Sequence, residues 1–174
     1  MEDLVRAMDY ICSYRSPLGV IRLAADSDGL AGLWFEGQKG PDGAVSAASG
    51  SAEPPALNLA VRWLDIYFSG GIPDFLPPLS LRGSPFRLAV WELLLQIPYG
   101  CTRTYGEIAA DLARQRGLAK MSAQAVGGAV GHNPVSLIVP CHRVIGAGGK
   151  LVGYAGGVRR KEYLLKLEGA ELWR

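Results

Sequence analysis

Cysteine and histidine are scarce in this chain. Cys12, Cys101 and Cys141 are spread over 174 residues, and His132 and His142 are the only histidines. An odd, scattered set of thiols argues against a disulfide framework and fits a reducing compartment, so a cytoplasmic location is expected. There is no Cys-x-x-Cys or His-x-x-x-His pair, so the sequence offers no zinc-ligand spacing and no metal is expected. No apolar run reaches the ~18 residues that a membrane-spanning helix needs. The opening MEDLVRAMDY lacks the basic start and apolar stretch of a signal peptide. An apolar fraction of 49% against 20% charged residues describes an ordinary globular chain, long enough for one large domain or two small ones.

Charge is unevenly divided. Residues 1–82 hold 6 Lys/Arg and 10 Asp/Glu, whereas residues 83–174 hold 12 and 6. A basic half points to a polyanionic partner, although chance clustering on a solvated face gives the same balance.

The spacing of apolar and turn residues predicts an α+β protein of two domains, 1–82 and 83–174. In the first, Tyr10–Tyr14 and Val20–Ala24 flank the turn Arg15-Ser16-Pro17-Leu18-Gly19, and Leu30–Phe35 follows a second turn at 26–29, so a small antiparallel sheet is expected. Residues 36–55 read as a long Gly/Ser/Ala/Pro loop. Leu57, Ala60, Val61, Leu64 and Phe68 recur at helical spacing before Gly70-Gly71. Pro73, Pro77 and Pro78 then predict a stiff, extended linker.

The second domain reads as mainly helical. Ser84-Pro85 is a strong helix start, and Phe86, Ala89, Val90, Leu93, Leu94 and Ile97 form its stripe. Thr104-Tyr105-Gly106-Glu107 has the form of a capping box. Ser122 is placed to cap a further helix, Ala123–Val130. After Asn133-Pro134 an apolar, strand-like run leads to Cys141. A glycine-rich loop over 146–157 precedes a last helix from about Val158 to Glu168, with Gly169 beyond its end.

The run Ile138-Val139-Pro140-Cys141-His142-Arg143-Val144-Ile145 sets a thiol, an imidazole and a guanidinium between apolar flanks. A cysteine attacks as thiolate, and a neighbouring base or cation favours that form. His142 could equally be a core histidine, and Arg143 either supports the thiolate or, as we favour, ties down the loop. The helices at 104–115 and 123–130 have helix-turn-helix proportions. Gly127 and Gly128 each cost the second helix about 1 kcal/mol relative to alanine. A smooth face of this kind suits close approach to a DNA sugar-phosphate edge better than base reading; close helix packing within the domain is the other explanation.

Taken in order, Pro98-Tyr99-Gly100, Tyr105-Gly106, Ala125-Val126-Gly127, Asn133-Pro134, Val139-Pro140-Cys141-His142-Arg143-Val144, Gly153-Tyr154-Ala155-Gly156-Gly157 and Lys161 to Gly169 resemble the O6-alkylguanine-DNA alkyltransferase family. The resemblance covers about half the chain; the N-terminal half adds only its size and a Ser-Pro-Leu-Gly hairpin. It implies a supporting N-terminal domain and a winged helix-turn-helix-like C-terminal domain that binds double-stranded DNA through the minor groove and flips out an O6-alkylated guanine. The alkyl group then passes irreversibly to Cys141, once per molecule. O4-alkylthymine is a second candidate substrate. By resemblance His142 takes the thiol proton through a water, Glu168 holds His142, Asn133 orders the cysteine loop, and Tyr105 donates to the guanine oxygen. The DNA- and substrate-binding candidates are Thr104, Gln124, Ala125, Gly127, Gly128, Arg143, Val144, Gly153, Tyr154, Ala155 and Lys161. No cofactor, membrane or obligate protein partner is implied, and a monomer is expected.

The residues suit that chemistry. A soft thiolate fits displacement at carbon, and a phenol suits a leaving purine oxygen. Taken alone, Glu168 reads as an exposed glutamate and Tyr105 as plain core. Two positions depart from the family pattern. Gln124 stands where relatives carry an arginine that fills the flipped base's space, and an amide neither stacks nor carries charge as a guanidinium does. Ala155 stands where relatives have serine, so a hydroxyl is missing. The rival readings are a damage sensor that binds without transfer, which would lack Cys141, and a Cys-His hydrolase, which would turn over.

Overall fold

In a computed structural model, residues 10–38, 40 and 54–171 are described. Most of the loop expected over 36–55 and nearly all of the opening decapeptide lie outside them. The chain forms two compact units, Met1–Arg82 and Gly83–Arg174.

The first unit holds an antiparallel meander of β1 (Tyr10–Ser16), β2 (Gly19–Ala25) and β3 (Leu30–Phe35). Ser16 pairs with Gly19 across a Pro17-Leu18 turn, where Gly19 adopts a φ of 106° that a side chain would resist. The Ser16 hydroxyl closes this turn, donating to the Gly19 carbonyl at 2.7 Å and accepting from the Leu18 N–H at 3.1 Å. Ile21 and Leu23 face Phe35 and Leu33 across the β2–β3 pair, and all four are fully buried. Helix α1 (Pro55–Phe68) covers the sheet. Its buried face is completed by Trp63 and Tyr67, while Val61 and Phe68 sit at its edge.

The proline-rich stretch does more than link. The Leu30 N–H donates to the Pro78 carbonyl at 2.7 Å and the Ser80 N–H to the Leu30 carbonyl at 2.8 Å, a parallel bridge onto β3. Proline cannot donate to a ladder but its carbonyl can accept, so Pro78 is compatible with this edge. Asp26, 2% exposed, fastens the same place. One carboxylate oxygen accepts the N–H groups of Asp28 and Gly29, and the other accepts Ser80 Oγ at 2.7 Å and the Arg82 guanidinium at 2.5 Å.

The second unit is built on α2 (Pro85–Leu95), α3 (Tyr105–Gln115), α4 (Ala123–Gly131) and α5 (Val158–Leu167). The local start signals act as such. Ser84 Oγ accepts the Arg87 N–H, Thr104 and Glu107 form a reciprocal capping box, and Ser122 Oγ accepts the Ala125 N–H. Helix α4 packs against α2 and α3. The buried Trp91 indole donates to the Ala129 carbonyl at 2.8 Å, tying α4 to α2. A two-residue parallel pair, β4 (Arg103–Thr104) with β5 (Val144–Ile145), brings the start of α3 beside the segment that follows Cys141-His142-Arg143.

The run from Val135 to Pro140 is not a strand. It turns tightly, with the Ile138 N–H on the Ser136 carbonyl and the Val139 N–H on the Val135 carbonyl. Leu137 has a φ of 69°, the one left-handed non-glycine residue among those described. Burial alone explains the apolar run, since Val135, Leu137 and Val139 are fully enclosed; an apolar segment this short does not distinguish strand from buried turn.

Candidate active site

Cys141 opens a single 3-10 turn, Cys141–Arg143, at the end of that buried segment. Asn133 shapes the approach. Its side chain donates to the Val139 carbonyl at 2.8 Å and accepts the Val135 N–H at 3.0 Å, supplying bonds that a sheet ladder would otherwise provide. Cys141 is 4% exposed. It lies on the wall of a cavity of about 160 Å³ formed with Tyr105, Gly127, Val130, Gly131, Gly153, Tyr154 and Ala155. The glycine-rich loop and α4 therefore meet the sulfur in one pocket.

Behind the cysteine lies a buried charge network. The His142 Nε2 is 2.7 Å from Glu168 Oε1. Arg143 grips the same carboxylate with both arms, Nε to Oε2 at 2.9 Å and Nη2 to Oε1 at 3.0 Å, and gives Nη1 to the Ile97 carbonyl at 2.7 Å. The Gly100 N–H adds a bond to Oε2 at 3.1 Å. Burial alone would raise the Glu168 pKa, but hydrogen bonds and charge from His142 and Arg143 outweigh it and hold the carboxyl down to about 2. Glu168 is thus an ionised acceptor, and His142 donates Nε2–H to it. The basic lone pair of a neutral imidazole is then on Nδ1.

The electrostatics favour neutral partners at rest. Burial pushes the Cys141 thiol up, and the Asn133 amide and Lys161 charge only partly oppose it. Burial pulls His142 down against the upward pull of Glu168. Tyr105 is raised by burial and by the nearby Cys141, so its phenol keeps its proton. That phenol donates to the Val152 carbonyl at 3.3 Å, a long bond.

Other expected residues lie elsewhere. Arg143 faces the carboxylate and not the cavity. The Val144 side chain is core, and its carbonyl accepts from Lys161. Lys161 is fully buried, with Nζ on the carbonyls of Val144, Val152 and Gly153 at 2.5, 3.1 and 3.2 Å, and burial lowers its pKa to about 8. It closes the glycine-rich loop from behind. Thr104 caps α3 and lines a separate pocket of about 210 Å³ that Cys141 does not reach. Gln124, Ala125 and Gly128 are exposed on α4. A Cβ on Gly128 would meet nothing within 4 Å and one on Gly127 would make ordinary contact with the Tyr105 ring at 3.8 Å. Close helix packing therefore does not require either glycine. His132 and Cys101 are exposed, and Cys12 is half-buried in β1.

Residue-by-residue reading did not reveal the double grip of Arg143 on Glu168, the Gly100 donor or the Trp91 tie to α4. Ser136 was also missed: a small polar residue inside the apolar run, 1% exposed. Its polarity at a buried position was the available signal.

The chain matches two family models, "6-O-methylguanine DNA methyltransferase, ribonuclease-like domain" over residues 10–81 and "6-O-methylguanine DNA methyltransferase, DNA binding domain" over residues 85–170. It is 46% identical over 153 residues to the methylated-DNA–protein-cysteine methyltransferase of Mycobacterium tuberculosis, covering 88% of each chain. It is 44% identical over 161 residues to the protein of that name from Methanosarcina acetivorans, covering 92% of this chain and 99% of the relative. Among solved structures, Mycobacterium tuberculosis OGT in complex with DNA superposes with a TM-score of 0.74 at 46% identity, covering 90% of this chain and 91% of that one. Among the described residues, no helix is long and apolar enough to cross a membrane.

Proposed function

The chain belongs to the 6-O-methylguanine DNA methyltransferase family, and from that premise we propose that it repairs DNA by moving a methyl or small alkyl group from guanine O6 to Cys141. The observation that carries this reading is the ionised Glu168 locked on His142 directly after a cysteine that opens onto a cavity. In the proposed reaction His142 Nδ1 takes the thiol proton through a water. The sulfur forms a bond to the alkyl carbon as the carbon–O6 bond breaks. Tyr105 passes its phenol proton to the departing oxygen, exchanging the long contact to Val152, so that the base leaves as neutral guanine, and the proton taken up by His142 then restores the phenol through water. The product is a thioether, which the site has no means of cleaving, so each molecule acts once. No metal, nucleotide or diffusible methyl donor enters this scheme.

The remaining parts follow from position. The exposed, nearly side-chain-free face of α4 is the surface we assign to the DNA minor groove, with Gln124 at its leading turn, and residues 1–82 support the transferring domain. We place the protein in the cytoplasm, in keeping with its few, scattered cysteines. Incubation with a duplex containing O6-methylguanine should restore guanine and leave the methyl on the Cys141 peptide. Cys141→Ser should still bind the duplex and transfer nothing; methyl capture by that variant overturns the assignment.

A further inference from the structure

Two hydroxyls beside the reactive sulfur are left over by this mechanism. Ser136 Oγ and Tyr154 Oη are both buried and have no hydrogen-bond partner. Buried hydroxyls in native proteins are nearly always satisfied, so an orphaned pair calls for a reason. Ser136 reaches its place because the tight turn over 135–139 turns it inward. That turn is pinned by Asn133 on both sides and accepts a left-handed Leu137. Backbone strain of this kind persists where the surroundings over-determine it, often at a site of chemistry. Tyr154 comes from the glycine-rich loop and lines the Cys141 cavity.

We infer that Ser136 is a donor to the Cys141 thiolate and that Tyr154 acts through it, Tyr154 O–H to Ser136 Oγ and Ser136 O–H to the sulfur. This rests on Cys141 being the nucleophile. While the thiol is neutral it is a weak acceptor, and neither hydroxyl completes a well-aligned bond within the protein. When the proton leaves for His142, the sulfur acquires a full charge and the Ser136 O–H turns towards it. No proton passes along the two hydroxyls. As the sulfur–carbon bond forms, charge moves to the leaving oxygen and the contact weakens to that of a thioether. The electrostatic effects agree: Ser136 already lies near enough to hydrogen-bond Cys141 and Tyr154 and lowers the pKa of both, against the larger upward push of burial on each. The other groups bearing on the sulfur are Lys161 from α5, Tyr105 from α3 and the Asn133 amide, with the His142, Glu168 and Arg143 network adjoining it.

The test is the pH dependence of Cys141 alkylation by iodoacetamide, read by mass spectrometry on the Cys141 peptide so that Cys12 and Cys101 do not contribute. Loss of one hydrogen bond to a charged group should raise the midpoint in Ser136→Ala by about one pH unit, roughly a tenfold slower reaction below it. Ser136→Thr, which keeps the hydroxyl, should restore the midpoint. Tyr154→Phe should give a smaller rise, and the double variant no more than Ser136→Ala alone. An unchanged midpoint in Ser136→Ala, or additive shifts, overturns the inference. Should Ser136→Ala not fold, Tyr154→Phe decides by itself: a raised midpoint supports the inference and an unchanged one overturns it. Failure of wild-type protein to take methyl from DNA would instead defeat the functional reading, and the iodoacetamide profile would still report on Ser136.

Discussion

His142 Nε2 and Glu168 Oε1 lie 2.7 Å apart with both side chains fully enclosed. This pairing sets the tautomer of the imidazole and keeps a negative charge in the interior. Arg143 is what makes the charge tolerable, because a buried carboxylate is stable only when paired and fully hydrogen-bonded.

Glu168→Gln should therefore damage stability and activity together. It leaves the Arg143 guanidinium buried without its counter-ion, a loss of about 3–5 kcal/mol. It also replaces the charged acceptor that fixes His142 with a single amide oxygen for which Arg143 competes, so transfer should slow by about 10²-fold or more. Urea unfolding and single-turnover transfer measure the two effects.

The same pair predicts an acid limb. The Glu168 carboxyl has a folded pKa of about 2 against an ordinary 4.5, so the unfolded chain binds more protons between these values. Its contribution, on the order of 3 kcal/mol, is complete above about pH 4.5 and is lost as pH falls towards 2. Unfolding curves for wild type should weaken across that window, and those for Glu168→Gln should lack this component.

Gly128→Ala should separate stability from binding. Nothing within 4 Å obstructs the added methyl, so the helix should gain up to about 1 kcal/mol. If α4 lies against a sugar-phosphate edge, duplex affinity should fall while iodoacetamide reactivity of Cys141 stays the same. Thermal melting and duplex titration give the two readouts. A stabilised variant with undiminished affinity would remove this face of α4 from the DNA contact.

Gln124→Arg should tighten duplex binding and speed transfer, because a guanidinium stacks and carries charge where the amide does neither. Gln124 is exposed on the first turn of α4 and has room for the longer side chain. Unchanged binding and rate in this variant would rule out a role for position 124 in holding the flipped base's space.

What was legible in the sequence was local. Ser84-Pro85, the Thr104–Glu107 box and Ser122 are caps, and caps depend on neighbours within one turn. The run around Cys141 could also be picked out, because three polar side chains stand together between apolar flanks. The long-range contacts were not legible. Arg143 and Glu168 are 25 residues apart, and nothing in either neighbourhood specifies a bidentate pair. The turn over 135–139 was hidden because its backbone bonds come from the Asn133 side chain, which a reading of apolar periodicity does not weigh. The docking of Pro78 onto β3 was hidden for a related reason: proline marks what cannot donate, not what can still accept.

In the proposed reaction Cys141 keeps the group it removes. Wild-type protein incubated with a large excess of O6-methylguanine duplex, and followed by intact mass and by guanine restored, tests this directly. A plateau is expected at one methyl per protein, about 14 Da on the Cys141 peptide, with one guanine restored for each. Restored guanine that keeps rising beyond one equivalent, or methyl recovered on Cys101 or Cys12 instead, would contradict it.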